Sequence, residues 1–588
     1  MQPSSSYMDH DDVDRDSTIV VSKWYPKVDT TILISDPQQA TAHRKIIRRW
    51  NQLSRLQRSL VYTVMIILVT IVLLITYSKQ ENVEVTVSEI KAFKIPVENT
   101  TRVESLIVSH TVQKEPVEAE DDAELREVVV FQGPTNAKQL AVVEAFKHAW
   151  AGYKQFAWGH DNLRPVSGGA HDWFSLGLTI VDGIDTAYIM GLTKEYEDGK
   201  KWIKEELVFT KNKDVNFFEV TIRVLGALLT NYHFSKDEMF LHKAKDLGER
   251  LMVAFKSPTG IPYSDVNLGR KVAHAPEWSH FSTTAEVTTV QLEFRELSRA
   301  SGDPSFEEAA SAVSKHIHGL PKNHGLVPIF ISPNTGNFMP HATITLGARG
   351  DSYYEYLLKQ WLQTGKTINY LLDDYMAAIE GVRDLLAKRS SPNKRLFIGE
   401  LSPGSESFNP KMDHLVCFLP GTLALGHANG LPDWHLTMAE ELLYTCYLTY
   451  AAHPMFLAPE ITHFNMQSAK DDMYTKNADA HNLLRPEFIE SLWYLYQITG
   501  NTTYQDWGWK IFQAFEKHAK VQYGYSSIAY VNIDIKTEKP VPRDMMESFF
   551  VSETLKYFYL LFSDNRFTLD LSKYVVNSEA HALPMHKK

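Results

Sequence analysis

Six times the chain repeats one unit: a helix of apolar period, a short Gly/Ser/Asn turn, and an aromatic residue opening a second helix. The aromatics are Tyr196, Phe240, Phe306, Tyr370, Trp434 and Tyr504, spaced 44, 66, 64, 64 and 70 residues apart. A seventh first-helix equivalent, RDMMESFFVSETLKYFYLLF, closes the series. A lone helical hairpin cannot bury its apolar face, so such units stack into an open solenoid or close into a toroid. Solenoid units usually run about 34–47 residues and end in polar caps. These units are longer, and the chain ends in an apolar, aromatic helix. The pattern predicts an all-α fold, a closed α/α barrel of about seven hairpins occupying residues 141–588.

Ahead of the barrel lies Leu60–Tyr77, LVYTVMIILVTIVLLITY, 18 residues without a charge. That is near the lower length for spanning a hydrocarbon core about 30 Å thick, and the run has no polar face. It begins too far from Met1 for an ordinary cleaved signal peptide, so it reads as a transmembrane signal-anchor helix. Arg44, Lys45, Arg48, Arg49, Arg55 and Arg58 precede it; Lys79, Glu81, Glu84 and Glu89 follow. The positive-inside rule then leaves residues 1–59 as a cytosolic tail and puts the rest in the lumen, a single-pass type II topology. The acidic, Ser-rich start reads as disordered, and residues 78–140, without clear period, read as a stem. Two sequons, at Asn99 and Asn501, both fall on the expected luminal side.

The formal charge of −11 disfavours nucleic acid as a partner, and two cysteines exclude a disulfide-built scaffold or a four-Cys zinc site. HExxH, a G-x-S-x-G elbow, a P-loop and a dinucleotide fingerprint are all absent, so no nucleotide cofactor is expected. His274 and His280, in HAPEWSH, fall in an expected loop. Hydrolysis without redox or nucleotide chemistry remains.

Three acidic motifs open helices beside an arginine: Asn216–Glu219–Arg223, Arg349–Asp351–Glu355 and Arg485–Glu487–Glu490. Each has a local explanation. Asn216 with Glu219, and Ser352 with Glu355, match capping boxes. Pro486 suits the first helical position, and Glu487 would favour the helix dipole. In a toroid, however, the inner helices run parallel and their N-termini ring one face, so these carboxylates converge. Phe217, Phe218, Tyr353, Tyr354, Phe488, Phe549 and Phe550 lie close by in sequence. Acids and aromatic rings in one cavity suit a sugar, and glycoside hydrolysis needs one carboxylic acid and one carboxylate. The arginines would depress a neighbouring carboxylate's pKa, which favours a base over an acid.

At these motifs the chain resembles glycoside hydrolase family 47, the class I α-1,2-mannosidases of the secretory pathway. The resemblance covers roughly residues 140–584 and rests on GLTIVDGIDTAYIMGL, FFEVTIR, GARGDSYYEYLLKQW, MDHLVCFLPG, LAPE, LLRPEFIESLWYLY, ESFFVSETLKYFYLLFS and NSEAH. MESFF and YYEYLLKQWLQ are more similar to the endoplasmic-reticulum type than to Golgi relatives. The resemblance implies an (α/α)7 barrel and inverting removal of terminal α-1,2-linked mannose from high-mannose N-glycans. It gives Glu219 the role of general acid acting through a water, and Glu487 that of the base. Asp351 is implied as an essential carboxylate of less settled role, with Glu460 as an alternative donor. Arg223, Glu286, Arg349, Asp413, His414, Arg485, Phe549, Glu553 and Glu579 map to sugar-contacting or supporting positions.

The family also holds Ca²⁺ through one Thr of an NTEAHP motif. Here the string is Asn577-Ser578-Glu579-Ala580-His581-Ala582, with Ser for Thr and Ala for Pro. Ser578 keeps the carbonyl and hydroxyl oxygens that a hard cation prefers, so calcium binding is expected to survive, weakened by the freer rotamer. Cys417 and Cys446 match the family's disulfide pair; two isolated buried thiols are the alternative. The function expected is that of a membrane-anchored mannosidase of the endoplasmic reticulum or early Golgi. Its alternatives are a Golgi-type relative of different branch preference, a glycan-binding degradation factor, and a plain repeat-built scaffold.

Overall fold

The computed structural model describes residues 127–404, 407–467 and 469–586. The expected tail, the apolar run 60–77, Asn99 and nearly all of the expected stem lie outside them. Among the described residues no helix is long and apolar enough to cross a membrane.

Among the described residues, fourteen helices alternate between an outer and an inner ring. The outer ones are α1 (Ala137–Phe156), α3 (Thr193–Glu205), α5 (Glu238–Leu251), α7 (Ser305–His318), α9 (Asn369–Gly381), α11 (Asp433–Ala451) and α13 (Thr503–His518). The inner ones are α2 (Leu178–Ile189), α4 (217–235), α6 (284–301, with a break at 289–290), α8 (Asp351–Gln363), α10 (414–428), α12 (Glu487–Thr499) and α14 (550–561).

The sequence explains the two rings. Outer helices bury one stripe at helical spacing; in α13 it is Tyr504, Gly508, Ile511, Phe512 and Phe515. Inner helices are walled on every side, and α12 buries each residue from Phe488 to Gln497. Outer and inner helices touch closely where glycine allows it: a Cβ on Gly508 would stand 2.4 Å from Leu561 of α14. All six repeat aromatics fall within the first four residues of an outer helix.

The six repeats left the seventh inner helix without a partner, and α1, from the N-terminal side, supplies it. Asn136 donates to the Phe562 carbonyl (2.8 Å) and Gln139 to that of Tyr559 (3.2 Å). The ring closes where α14 packs on α2, with Thr186 Oγ1 donating to the Ser552 carbonyl (3.1 Å). Val129 and Phe131, N-terminal to residue 141, already pack on this body, Phe131 against Tyr188 and Phe234.

The inner helices run parallel. A C-terminal hairpin, Tyr574–Val576 paired with Ala582–Pro584, enters the barrel from their C-terminal ends. There the His586 amide bonds the carbonyl of Gln363, the last residue of α8 (3.0 Å). Its tip, residues 577–581, is folded on itself by Asn577 Oδ1, which accepts from the amides of Glu579 (2.9 Å) and His581 (2.8 Å). Cys417 of α10 and Cys446 of α11 form a disulfide with Cα atoms 6.0 Å apart, stapling an inner helix to its outer partner. The bridge replaces the alternative of two isolated thiols.

Candidate active site

The N-terminal ends of six inner helices, all but α2, line one cavity of about 290 Å³. In α4 the Asn216 side chain caps the helix by accepting from the Glu219 amide (2.9 Å). Only that half of the expected capping box forms, because the Glu219 carboxylate turns to Arg223 Nε (2.9 Å). Residues Thr221–Leu225 make a π-helical turn, a feature common at functional sites, and it carries Arg223 inward. There Arg223 pairs with Glu579 and lies 3.7 Å from Asp182.

In α6 Thr283 caps the helix by accepting from the Glu286 amide (3.3 Å), and Ser264 donates to the carboxylate (3.1 Å). In α8 the expected Ser352–Glu355 box is absent. The cap residue is Gly350, the Ser352 amide bonds Asp351 Oδ1 (2.9 Å), and Glu355 points into the barrel. There it accepts from Lys359 (2.5 Å) and from the Ser578 hydroxyl (3.1 Å), partners that an exposed capping glutamate would lack. Arg349, at φ +76°, lies over the rings of Trp278 (4.7 Å) and Phe330 (5.5 Å) at the cavity wall.

Helix α12 begins at Glu487, with Pro486 as its cap residue rather than its first helical one. Glu487 Oε2 lies 2.6 Å from His414 Nδ1, and His414 Nε2 lies 2.8 Å from the Tyr450 hydroxyl. The imidazole is held from both sides: Nδ1–H donates to the Glu487 carboxylate, and Nε2 shares a hydrogen bond with the Tyr450 hydroxyl. Arg485 Nε donates to both oxygens of Glu460 (2.9 and 2.7 Å), and its Nη1 stands 3.7 Å from Glu487. Asp413 accepts from Lys411 (2.8 Å). Phe549 lies between two guanidinium groups, 5.8 Å from Arg223 and 5.9 Å from Arg485.

Eleven expected site residues line the cavity together: Glu219, Arg223, Glu286, Arg349, Asp351, Arg485, Glu487, Phe549, Glu553, Ser578 and Glu579. Asp413, His414 and Glu460 stand behind this wall and act on it through neighbours. The sequence placed Glu355 and Glu490 in the converging acidic motifs but assigned no site role to either of them or to Lys359. Glu355 and Glu490 line the cavity, and Lys359 lies 3.6 Å from Glu490. Their signal was present, since Asp351, Glu355 and Lys359 fall four apart on one helical face. His274, expected in a loop, ends the short strand Val272–His274, and neither it nor His280 lines the cavity.

Eight carboxylates but only three guanidinium groups line this space, so their protonation is not uniform. Burial, reinforced by the carboxylates of Glu355, Glu487 and Asp413, pushes Asp351 up to about 8. Burial and the Glu219 charge raise Glu286 to about 7. Glu490 rises to about 8, mainly through burial and despite Lys359. Glu553 and Glu579 are carried well above the usual range by burial, with Glu579's charge also raising Glu553. Glu487 goes the other way. Burial alone would raise it, but the His414 hydrogen bond and the His414 and Arg485 charges hold it below the ordinary glutamate value. One cavity therefore holds a carboxyl that keeps its proton at neutral pH and a carboxylate that does not.

That acid–base pair suits proton transfer to and from a polar substrate, as glycoside hydrolysis requires. Residues 145–585 match the family model described as glycosyl hydrolase family 47. The chain belongs to glycosyl hydrolase family 47. Its sequence is 56% identical over 454 residues to the endoplasmic reticulum mannosyl-oligosaccharide 1,2-alpha-mannosidase of Homo sapiens, covering 76% of this chain and 64% of that protein. It is 38% identical over 458 residues to mannosyl-oligosaccharide 1,2-alpha-mannosidase IB of Mus musculus, covering 76% of this chain and 70% of that one. Among solved structures, the alpha-1,2-mannosidase from Trichoderma reesei superposes with a TM-score of 0.71 at 26% identity, covering 77% of this chain and 100% of that one. This family 47 chain is thus a glycoside hydrolase.

Proposed function

We propose that this family 47 hydrolase removes terminal α-1,2-linked mannose from high-mannose N-glycans with inversion at the anomeric carbon. The observation that carries this reading is the opposed protonation of Asp351 and Glu487 across one cavity. Glu487, ionised and oriented by His414, takes a proton from a water whose oxygen attacks the anomeric carbon. The glycosidic C–O bond breaks, and a proton passes to the leaving oxygen. The family resemblance gives that donation to Glu219 through a water. Asp351 is the carboxyl whose surroundings keep a proton at neutral pH, so it is our preferred proton source. Glu460, clamped by Arg485 behind the wall, is disfavoured as a donor.

Calcium suits the floor of the cavity. Ser578 offers its oxygens among Glu355, Glu490, Glu553 and Glu579. Burial drives Glu553 and Glu579 well above the usual carboxylate range, the mark of a floor short of positive charge. No group of three acidic, His or Cys side chains among the described residues is arranged to hold a metal alone. The Ser578 oxygens, with the cavity carboxylates around them, suit a hard cation completed by water or sugar hydroxyls. When bound, Ca²⁺ would supply positive charge and an anchor for those hydroxyls.

The apolar run 60–77 would anchor the chain in the endoplasmic-reticulum membrane with the barrel luminal. The higher identity to the relative named for that compartment supports this residence. Incubation of the purified chain with a nine-mannose glycan, with and without a chelator, tests the reading. Mannose release that stops with chelator is expected. No release in calcium would overturn it, and the product isomer would separate this enzyme from one of Golgi-type branch preference.

A further inference from the structure

Asn501 is the one Asn-x-Ser/Thr acceptor between residues 127 and 586, and the catalytic reading leaves it unused. It occupies the turn between inner helix α12 and outer helix α13. Five consecutive residues there, 499–503, are exposed. Gly500, at φ +73°, ends α12 in the left-handed conformation that turns the chain outward. Asn501 Oδ1 accepts from the Thr503 amide (3.0 Å), which holds the acceptor triplet on the surface as α13 starts.

The position of this turn is as informative as its exposure. Glu487, the first residue of α12, lines the cavity; Asn501 comes two residues after Thr499, the last residue of the same helix. Twelve residue steps at 1.5 Å put on the order of 18 Å between the two levels of the barrel. The Asn501 turn is therefore on the face opposite the cavity, the face that the C-terminal hairpin closes.

We infer that Asn501 carries an N-linked high-mannose oligosaccharide, displayed on the face opposite the cavity, so that it is trimmed by other copies of the enzyme and not by its own. This rests on the luminal placement and activity proposed above. In the transfer, the Asn501 amide nitrogen bonds to the first sugar's anomeric carbon, whose bond to the diphosphate of a lipid-linked oligosaccharide breaks. The diphosphate leaves with the electron pair and the amide gives up one proton. Modification precedes folding, so the fold has only to leave room for the glycan. The exposed turn does so without displacing a packed side chain.

The test expresses the full chain in cultured eukaryotic cells in an Asn99→Gln background, followed by glycosidase digestion and mass spectrometry of the peptide containing Asn501. A digestible oligosaccharide is expected on that peptide, lost in Asn501→Gln and in Thr503→Ala and retained in Thr503→Ser. All three variants should keep parental activity on a free glycan. A bare Asn501 peptide overturns the inference. Sugar at Asn99 in the parent chain would then place the failure at the turn and not in the luminal topology, and free-glycan activity reports separately on the catalytic reading. The second arm follows loss of mannose from the Asn501 glycan at several enzyme concentrations. Trimming by other copies gives a half-life that shortens about tenfold for a tenfold rise in enzyme. A half-life independent of concentration overturns the intermolecular part.

Discussion

Asp351 and Glu487 both open an inner helix, both are half-buried, and both line one cavity, yet their carboxyls differ in protonation. The helix dipole cannot cause the difference, since each sits at a positive N-terminus. Partners cause it. Asp351 accepts one backbone amide and faces three other carboxylates, so burial prevails. Glu487 has an imidazole at 2.6 Å and a guanidinium at 3.7 Å, so the charged form prevails. Depth of burial sets the stakes, and the neighbours set the sign.

The largest expected effect breaks the ionised side. Glu487→Gln should lower kcat by about 10³-fold or more with glycan affinity by calorimetry almost unchanged, the scale of a lost general base. Activity within tenfold of the parent would place the base elsewhere.

Asp351→Asn should cost about 10²- to 10³-fold in kcat/KM. The pH profile gives the sharper reading. A donor must hold its proton, so activity falls as pH rises through about 8, and the variant should lose that limb. If Glu219→Gln removes the alkaline limb and Asp351→Asn does not, the donor is Glu219.

His414→Ala removes the hydrogen bond that opposes burial at Glu487. The acidic limb, which reports ionisation of the base, should then move upward by about one pH unit, worth about 1.4 kcal/mol. An unmoved limb would show that Arg485 alone holds the carboxylate ionised. Tyr450→Phe is the mildest test: it removes the hydroxyl that hydrogen-bonds His414 Nε2, and about a two- to fivefold loss of kcat is expected.

Much of the fold was legible because it is periodic. The six aromatics predicted the outer helix starts, and the apolar period of the segments before them marked the inner helices. What stayed hidden was α1, whose partner α14 lies more than 400 residues away; no local period can report that pairing. Within the site, the acidic motifs were visible but their local explanation was half right. Asn216 does cap its helix, whereas Glu355 leaves the cap it was expected to make and joins Lys359 and Ser578.

The sequence by itself determined the repeat, the membrane-length run before it, the motifs of family 47 and the residue types available for catalysis. These depend on composition and short-range spacing. The tertiary structure alone decided which carboxylates share a cavity and which of them keep a proton. His414 lies 73 residues from Glu487, Glu355 is 223 from Ser578, and Arg223 is 356 from Glu579. A pKa is a through-space quantity, set by burial and by charges a few ångströms away, and only the closed barrel brings those charges together.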